Sequence, residues 1–325
     1  MKIVKRLLVI LLVIVCLTGC ATSKTYTAYT VYPVGYLLNR IGGNKISPIS
    51  IQNNTLVQVA NMKDDYKETL ENSLVLFKIG DLEPYFDLYE EEIKETGVNV
   101  VDLSTLNALY EFKRYTLVMV EGKENYVESE WYEGEAFKHV DMHDLDLSIW
   151  LDPIGMLSMA NDVREYLASN YIEESDFFNS NFKTLSDDLI SLDASYQALS
   201  TKLKKENKTI KFVSLSPNFT SWQKAYGFQV YPVCLSKYGA TPSDSELEII
   251  KERIAKDNVK YIAYEPNLPQ DMMDIFVYLE DTLGLKRINL NNISSLTENQ
   301  VSSGKDYLSL MYENLSVLEN IAVEG

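Results

Sequence analysis

The chain has 325 residues, 46% of them hydrophobic, and a net charge of −17. Such a length accommodates two domains, and the hydrophobic content is ordinary for a globular protein. The acidic balance argues against binding nucleic acid or an anionic lipid surface.

Lys2, Lys5 and Arg6 make a basic start, Leu7 to Val15 is an unbroken apolar run, and Leu17-Thr18-Gly19-Cys20 closes it with small residues before a cysteine. This is the layout of a lipoprotein signal peptide over residues 1–19. The apolar run is shorter than the roughly 20 residues of a membrane-spanning helix. Cleavage before Cys20 and lipidation of that cysteine are expected, which would hold the mature chain to a membrane at its extracytoplasmic face. Loss of Lys2, Lys5 and Arg6 takes the net charge from −17 to about −20. Of the three cysteines, Cys16 leaves with the signal and Cys20 carries lipid, so Cys234 is alone. No internal disulfide and no cysteine-based zinc site can form. In its apolar context (Tyr231 to Leu235), Cys234 reads as a buried, inert thiol.

Residues 20–30 read as the lipidated cysteine and a tether. Val31-Tyr32-Pro33-Val34 starts a strand-turn, and Gly35 to Ile41 a helix stopped at Gly42-Gly43. Asn72 to Phe77 is a short apolar run of the kind that forms a buried parallel strand. Asp87 to Thr96 is a charged helix, and Val98 to Leu103 another strand. Pro153 stands in its favoured first-turn place before a helix over Ile154 to Leu167. Residues 175–205 contain no Gly or Pro, and Phe178, Phe182, Leu185, Leu189, Leu192, Tyr196, Leu199 and Leu203 recur at three- and four-residue steps. The spacing predicts one amphipathic helix, roughly 45 Å long at 1.5 Å per residue.

A second series follows. Strands are expected at Ile210 to Leu215, Phe228 to Tyr231, Val259 to Tyr264 and Ile288 to Leu290. Helices are expected at Ser243 to Ala255, Met272 to Leu283 and Lys305 to Ile321, with Ser243 and Glu246 spaced as a capping box. Alternating strands and helices imply parallel sheets. The expected fold is α/β, with two lobes, each a small mostly parallel sheet with flanking helices. The N-terminal lobe would span residues 31–172 and the C-terminal lobe 207–325, bridged by one long rigid helix over 173–206.

Several motifs occur in one order. Asp146-Leu147-Ser148-Ile149-Trp150-Leu151-Asp152-Pro153 resembles a D-P-H-I-W-L-D-P signature, and Gly80-Asp81-Leu82-Glu83-Pro84-Tyr85 a G-x-x-L-E-P-W. Tyr32-Pro33 with Ile41-Gly42-Gly43, Tyr226-Gly227, Tyr264-Glu265-Pro266 and Gly304 to Met311 complete the set, from about Tyr32 to Ala322. Together they resemble the zinc/manganese solute-binding proteins of bacterial ABC importers. The resemblance implies the two-lobed fold, an ABC permease as partner, and a cleft where three His and one acid hold metal. Those positions fall near Val57, on Ser148, on Ser216 and on Asn291, with Glu265 and Asp152 as cleft neighbours.

Zinc takes imidazole, thiolate or carboxylate, and Mn²⁺ also favours charged oxygen. Val, Ser, Ser and Asn supply none of these, so the expected cleft holds no metal and takes an unidentified small solute, neutral or polar, through hydroxyl and amide hydrogen bonds. The chain's only two histidines, His139 and His143, lie in an acidic segment where weak zinc capture is the remaining metal candidate. Glu265 and Asp152 could as well be structural, as helix caps or ion-pair partners. Two histidines in one acidic segment leave no Ser/His/Asp set, so an enzyme is not expected. The alternative to transport is an accessory or adhesin-like interaction lipoprotein that binds no solute.

Overall fold

Tyr26-Thr27-Ala28-Tyr29 is the first strand, β1 (Tyr26–Tyr29), and it runs inside a sheet. The structure is a computed structural model describing residues 24–105 and 108–324, so the signal segment and the lipidation site Cys20 lie outside the described residues. The expected tether over 20–30 therefore ends before β1. Thr27 and Ala28 are buried and β1 pairs on both edges, so this aromatic and β-branched stretch cannot be a free spacer. Val31 to Val34 is likewise no strand: Val31 is the N-cap of helix α1 (Tyr32–Gly42), with Pro33 in its first turn.

The N-terminal sheet continues with β2 (Ser47–Ser50), then helix α2 (Tyr66–Glu71), β3 (Ser73–Lys78), α3 (Phe86–Glu95) and β4 (Asn99–Asp102). Its order is β2-β1-β3-β4, all parallel. An antiparallel hairpin follows, β5 (Arg114–Val120) and β6 (Lys123–Ser129). Glu121 and Gly122 form its turn, both with positive φ, as a two-residue hairpin of right-handed twist requires. The sequence reading missed it because β6 is Lys-Glu-Asn-Tyr-Val-Glu-Ser, almost wholly polar and exposed.

Helix α4 (Pro153–Asn170) leads to α5 (Ser175–Lys205), which has the expected bounds. Phe178, Leu185, Leu189, Leu192, Tyr196, Leu199 and Leu203 are buried along one stripe of α5. They share a single core with Leu37, Ile41, Met156, Met159, Phe212 and Trp222, so α5 is built into both lobes and not merely strung between them. Arg40 of α1 also reaches Asp188 of α5 at 2.7 Å.

The C-terminal lobe comprises β7 (Lys211–Ser214), α6 (Trp222–Tyr226), β8 (Gln229–Pro232), α7 (Asp244–Lys256), β9 (Tyr261–Tyr264), α8 (Gln270–Leu283), β10 (Lys286–Asn289), α9 (Glu298–Ser302) and α10 (Tyr307–Glu324). The sheet order is β10-β9-β7-β8, again all parallel. The capping box of Ser243 and Glu246 is formed. Cys234 is free and buried, and burial pushes its thiol pKa well up. Among the described residues no helix is long and apolar enough to cross a membrane.

Candidate functional site

In parallel α/β sheets, ligand sites form beyond the carboxyl ends of the strands. Here the segments that follow β7, β9 and β10 meet one another and the N-terminal lobe at such a place. After β7 comes Ser216, after β9 Glu265, after β10 Asn292. Glu265 is wholly buried, and one carboxylate oxygen accepts the backbone N–H groups of Leu215 and Ser216, both at 3.0 Å. The other accepts the Ser216 hydroxyl at 2.5 Å and the Asn292 amide at 2.7 Å. Burial raises the Glu265 pKa, opposed by these donors. Asn292 and Asn267 exchange amide hydrogen bonds of 2.7 and 2.9 Å, and Asn267 also donates to Ser294 and Ser295.

A second branch crosses to the N-terminal lobe. Gln58 donates to Asn218 at 2.7 Å, and Ser148 donates to the same Asn218 oxygen at 3.4 Å. The Asn218 backbone N–H donates to Ser216 Oγ at 3.4 Å, joining the branches. The Ser148 N–H and the Thr220 hydroxyl both donate to Asp146. Burial pushes the Asp146 carboxyl up to about 6, against the pull of those two donors.

The structure therefore brings Ser148, Ser216 and Glu265 into one network and leaves Val57 and Asn291 out. Val57 is fully buried in the apolar core, and its neighbour Gln58 reaches the network instead. Asn291 accepts from Gln300 at 2.6 Å and its backbone pairs with the Asn314 amide, so its neighbour Asn292 turns toward Glu265. In both cases the next residue along the chain is the one that joins the network. Gln58 is the lone polar residue between Val57 and Val59, which was the signal available in the sequence; Asn218, two residues past Ser216, carried none. Asp152 stands outside the network and caps α4, accepting the Ile154 N–H at 2.9 Å. Trp150 is wholly buried; it donates to the Asn292 carbonyl at 2.8 Å and its own carbonyl accepts the Tyr307 hydroxyl at 2.5 Å.

Beside the network, between the lobes, lies a cavity of about 250 Å³ lined by Thr30, Gln52 and Asn54 from one side and Ser294 and Ser295 from the other. The Thr30 hydroxyl is buried and, among the described residues, has no well-formed hydrogen bond, though it faces the Glu83 carboxylate. Asn54 donates to the Leu296 carbonyl, and Tyr32 N–H to the Ser294 carbonyl at 3.4 Å, tying the lobes together along the rim.

His139 ends a 3₁₀ turn at the surface, and His143 lies with Nδ1 3.7 Å from Asp81. Burial lowers the His143 pKa, opposed by Asp81. Among the described residues no three His, Cys, Asp or Glu side chains gather as a group able to hold a metal ion.

Residues 28–321 match the family described as ZnuA, zinc-uptake complex component A, periplasmic. The zinc-binding lipoprotein AdcA of Streptococcus pneumoniae R6 is 25% identical over 302 residues, covering 92% of this chain and 56% of AdcA. The chain thus spans about half the length of the curated relatives it matches. Among solved structures, zinc-bound AdcA of S. pneumoniae superposes with a TM-score of 0.67 at 20% identity, over 92% of this chain and 57% of that one. The laminin-binding protein Lmb of Streptococcus agalactiae, described as having adhesin and metal-transporting activity, superposes at 0.70 and 16% identity, over 92% and 99%.

Proposed function

This chain belongs to the ZnuA family of periplasmic zinc-uptake components, and from that premise we propose that it is the extracytoplasmic solute-binding component of an ABC importer whose cleft takes a small neutral polar molecule. Relatives in the family are solute-binding proteins, not enzymes. The observation that carries the finer reading is the network that occupies the strand ends. Gln58, Ser148, Asn218, Ser216 and Asn292 are uncharged, and the two carboxylates that join them, Glu265 and Asp146, each have both oxygens engaged by donors of the protein.

A dication seated there would find no imidazole or thiolate, and would draw its compensating charge from Glu265 and Asp146 only by displacing the hydrogen bonds that both carboxylates already make. Uncompensated buried charge is costly, and zinc sites are built from imidazole, thiolate and carboxylate. Hydroxyls and amides suit a neutral solute, and the adjoining cavity sets the hydroxyls and amides of Thr30, Gln52, Asn54 and Ser294 among apolar groups of Tyr32, Leu296 and Val301, with Lys63 its one cationic lining residue. Zinc and manganese are thus the cargo suggested by ancestry, and a hydroxyl- or amide-rich molecule the cargo suggested by these side chains.

An ABC permease is the partner, and a lipid on Cys20 would keep the chain near it. The long helix shares its core with both lobes, so release would proceed by a small hinge rotation. Native mass spectrometry of the protein isolated from its own membranes tests the reading. A neutral adduct without zinc is expected; stoichiometric zinc would overturn it.

One observation favours a second reading, an interaction lipoprotein without cargo. The cleft side chains already satisfy one another, and the rim contacts of Asn54 and Tyr32 hold the lobes together. Absence of any adduct, with a gene standing apart from permease and ATPase genes, would select it.

A further inference from the structure

We propose that the base of the C-terminal lobe carries a second site, for a small amphiphilic anion with a carboxylate or phosphate head and a short apolar body. The site is a groove of about 760 Å³. Its walls are β5 of the hairpin and the end of α5, and its floor runs from Tyr226 to Tyr231. It includes Lys211 and Gln229, the first residues of β7 and β8, so it lies at the opposite end of the sheet from Ser216 and Glu265.

The charge there runs against that of the molecule. Arg114, Lys204, Lys205, Lys208 and Lys211 line the groove with only Glu124 and Asp257 as lining carboxylates, in a chain of net charge −17. The negative end of the α5 dipole explains part of this, since cations are favoured in a helix's last turn. Lys204 and Lys205 sit there, and Lys204 also pairs with Glu124 at 2.9 Å. The dipole does not explain Arg114, Lys208 or Lys211, which arrive from other segments. Asp257 is shared by two guanidiniums, Arg114 at 3.0 Å and Arg253 at 2.7 Å, so it neutralises one of them and leaves an excess.

Arg114 also has unused donor capacity. Its Nη2 donates to Asp257, Gln229 and Tyr231, while its buried Nε has no partner among the described residues. A side chain only 10% exposed that holds a charge and an unmet donor is costly unless something else contributes negative charge nearby. Lys205 and Lys208 are exposed at the rim, Lys208 3.5 Å from the Glu206 carboxylate, and complete a cationic arc.

The groove also has an apolar side, formed by Leu117, Met119 and Leu203, with Met119 64% exposed. Gly227 keeps the floor open. Its φ is +75°, and a Cβ there would stand 3.3 Å from Leu117. Cations along one side and aliphatic side chains along the other match an anion that carries a hydrocarbon stem.

Calorimetric titration of the purified chain with inorganic phosphate, hexyl phosphate and neutral hexyl glucoside tests this. Hexyl phosphate should bind at least tenfold more tightly than inorganic phosphate, weaken with added salt, and lose at least tenfold in affinity in the double variant Lys205→Gln/Lys208→Gln, whose melting temperature should be unchanged; hexyl glucoside should not bind. Co-sedimentation with phosphatidylglycerol vesicles and not with phosphatidylcholine vesicles would identify a lipid headgroup as the source, and hexyl phosphate binding without vesicle binding a soluble amphiphile. No saturable binding of hexyl phosphate in the millimolar range, equal binding of the glucoside, or binding indifferent to the double substitution would overturn the proposal.

Discussion

Ser216 donates its hydroxyl hydrogen to Glu265 across 2.5 Å, with both side chains wholly buried. The pair joins the ends of β7 and β9, and Asn292 brings in the segment after β10. A buried carboxylate with four donors and no cation among them is a strand-end lock, since each donor would otherwise be left unmet in a dry place.

Removing that carboxylate should be expensive. Glu265→Ala leaves two backbone N–H groups, a hydroxyl and an amide without their acceptor, and should destabilise the chain by about 3 kcal/mol or more. Urea unfolding at neutral pH measures it. A loss under about 1 kcal/mol would mean that water or a neighbour replaces the carboxylate readily.

Glu83 gives a pH signature. It is buried with neither oxygen in a well-formed hydrogen bond, and burial pushes its pKa up to about 7, against the pull of Thr30 and Lys78. Its unfolded reference is 4.5, so the folded state holds the proton more tightly. The stability contributed by this protonation is fully present below about pH 4.5 and is lost as pH rises through about 7, a change of about 3 kcal/mol. Glu83→Gln should therefore stabilise the protein by about that amount at pH 8 and by little near pH 4. Urea midpoints at the two pH values check the difference, and equal effects at both would contradict it.

Gly239 holds the C-terminal lobe against the turn that carries Gln58. Its φ is +67°, and a Cβ there would come within 2.6 Å of Val59 and 2.9 Å of the Gln58 carbonyl oxygen. Gly239→Ala should strain this backbone and part the lobes, weakening the Gln58–Asn218 bond, at a cost of roughly 1–3 kcal/mol. Small-angle scattering should record a larger radius of gyration than for the parent; an unchanged one would show that the contact yields locally.

Most of the fold was legible in the sequence, because its elements announce themselves by period and punctuation. Residues 175–205 formed one helix with the expected stripe buried except for Phe182, which is half-buried, and Ser243 with Glu246 capped α7 as spaced. The strand β1 was not legible, since Tyr-Thr-Ala-Tyr follows directly on a polar leader and is too short to show a pattern. Hairpin β5–β6 was hidden by a polar β6 whose order comes from tertiary contact: Lys224 of α6 lies over Tyr110, Tyr115 and Tyr126 at 4.7, 4.3 and 4.8 Å. Ser148 and Ser216, placed from motifs fixed to nearby elements, both enter the hydrogen-bond network. Val57 and Asn291 lie outside the network and their neighbours Gln58 and Asn292 within it, because counting along loops carries no facing information and only the fold decides which of two neighbours turns inward.

If Gln58, Ser148 and Asn292 occupy the positions where relatives hold metal, then metal binding should be recoverable. The triple variant Gln58→His/Ser148→His/Asn292→Asp supplies two imidazoles and a second carboxylate beside Glu265. It should bind zinc with an affinity at least a hundredfold above that of the parent chain, read by competition with a chromogenic chelator. No gain, in a variant that still folds by circular dichroism, would show that these side chains do not converge as the hydrogen bonds imply.

The most direct measurement is a thermal-shift and calorimetric titration of the parent chain with Zn²⁺ and with Mn²⁺. A specific ligand present at 100 times its dissociation constant adds about 2.7 kcal/mol of stability. A cleft without imidazole or thiolate, whose carboxylates are already engaged by the protein's own donors, predicts no saturable heat and no shift of melting temperature with either ion. A saturable shift with micromolar zinc, lost in Ser148→Ala or Glu265→Gln, would contradict this and return the cleft to metal import.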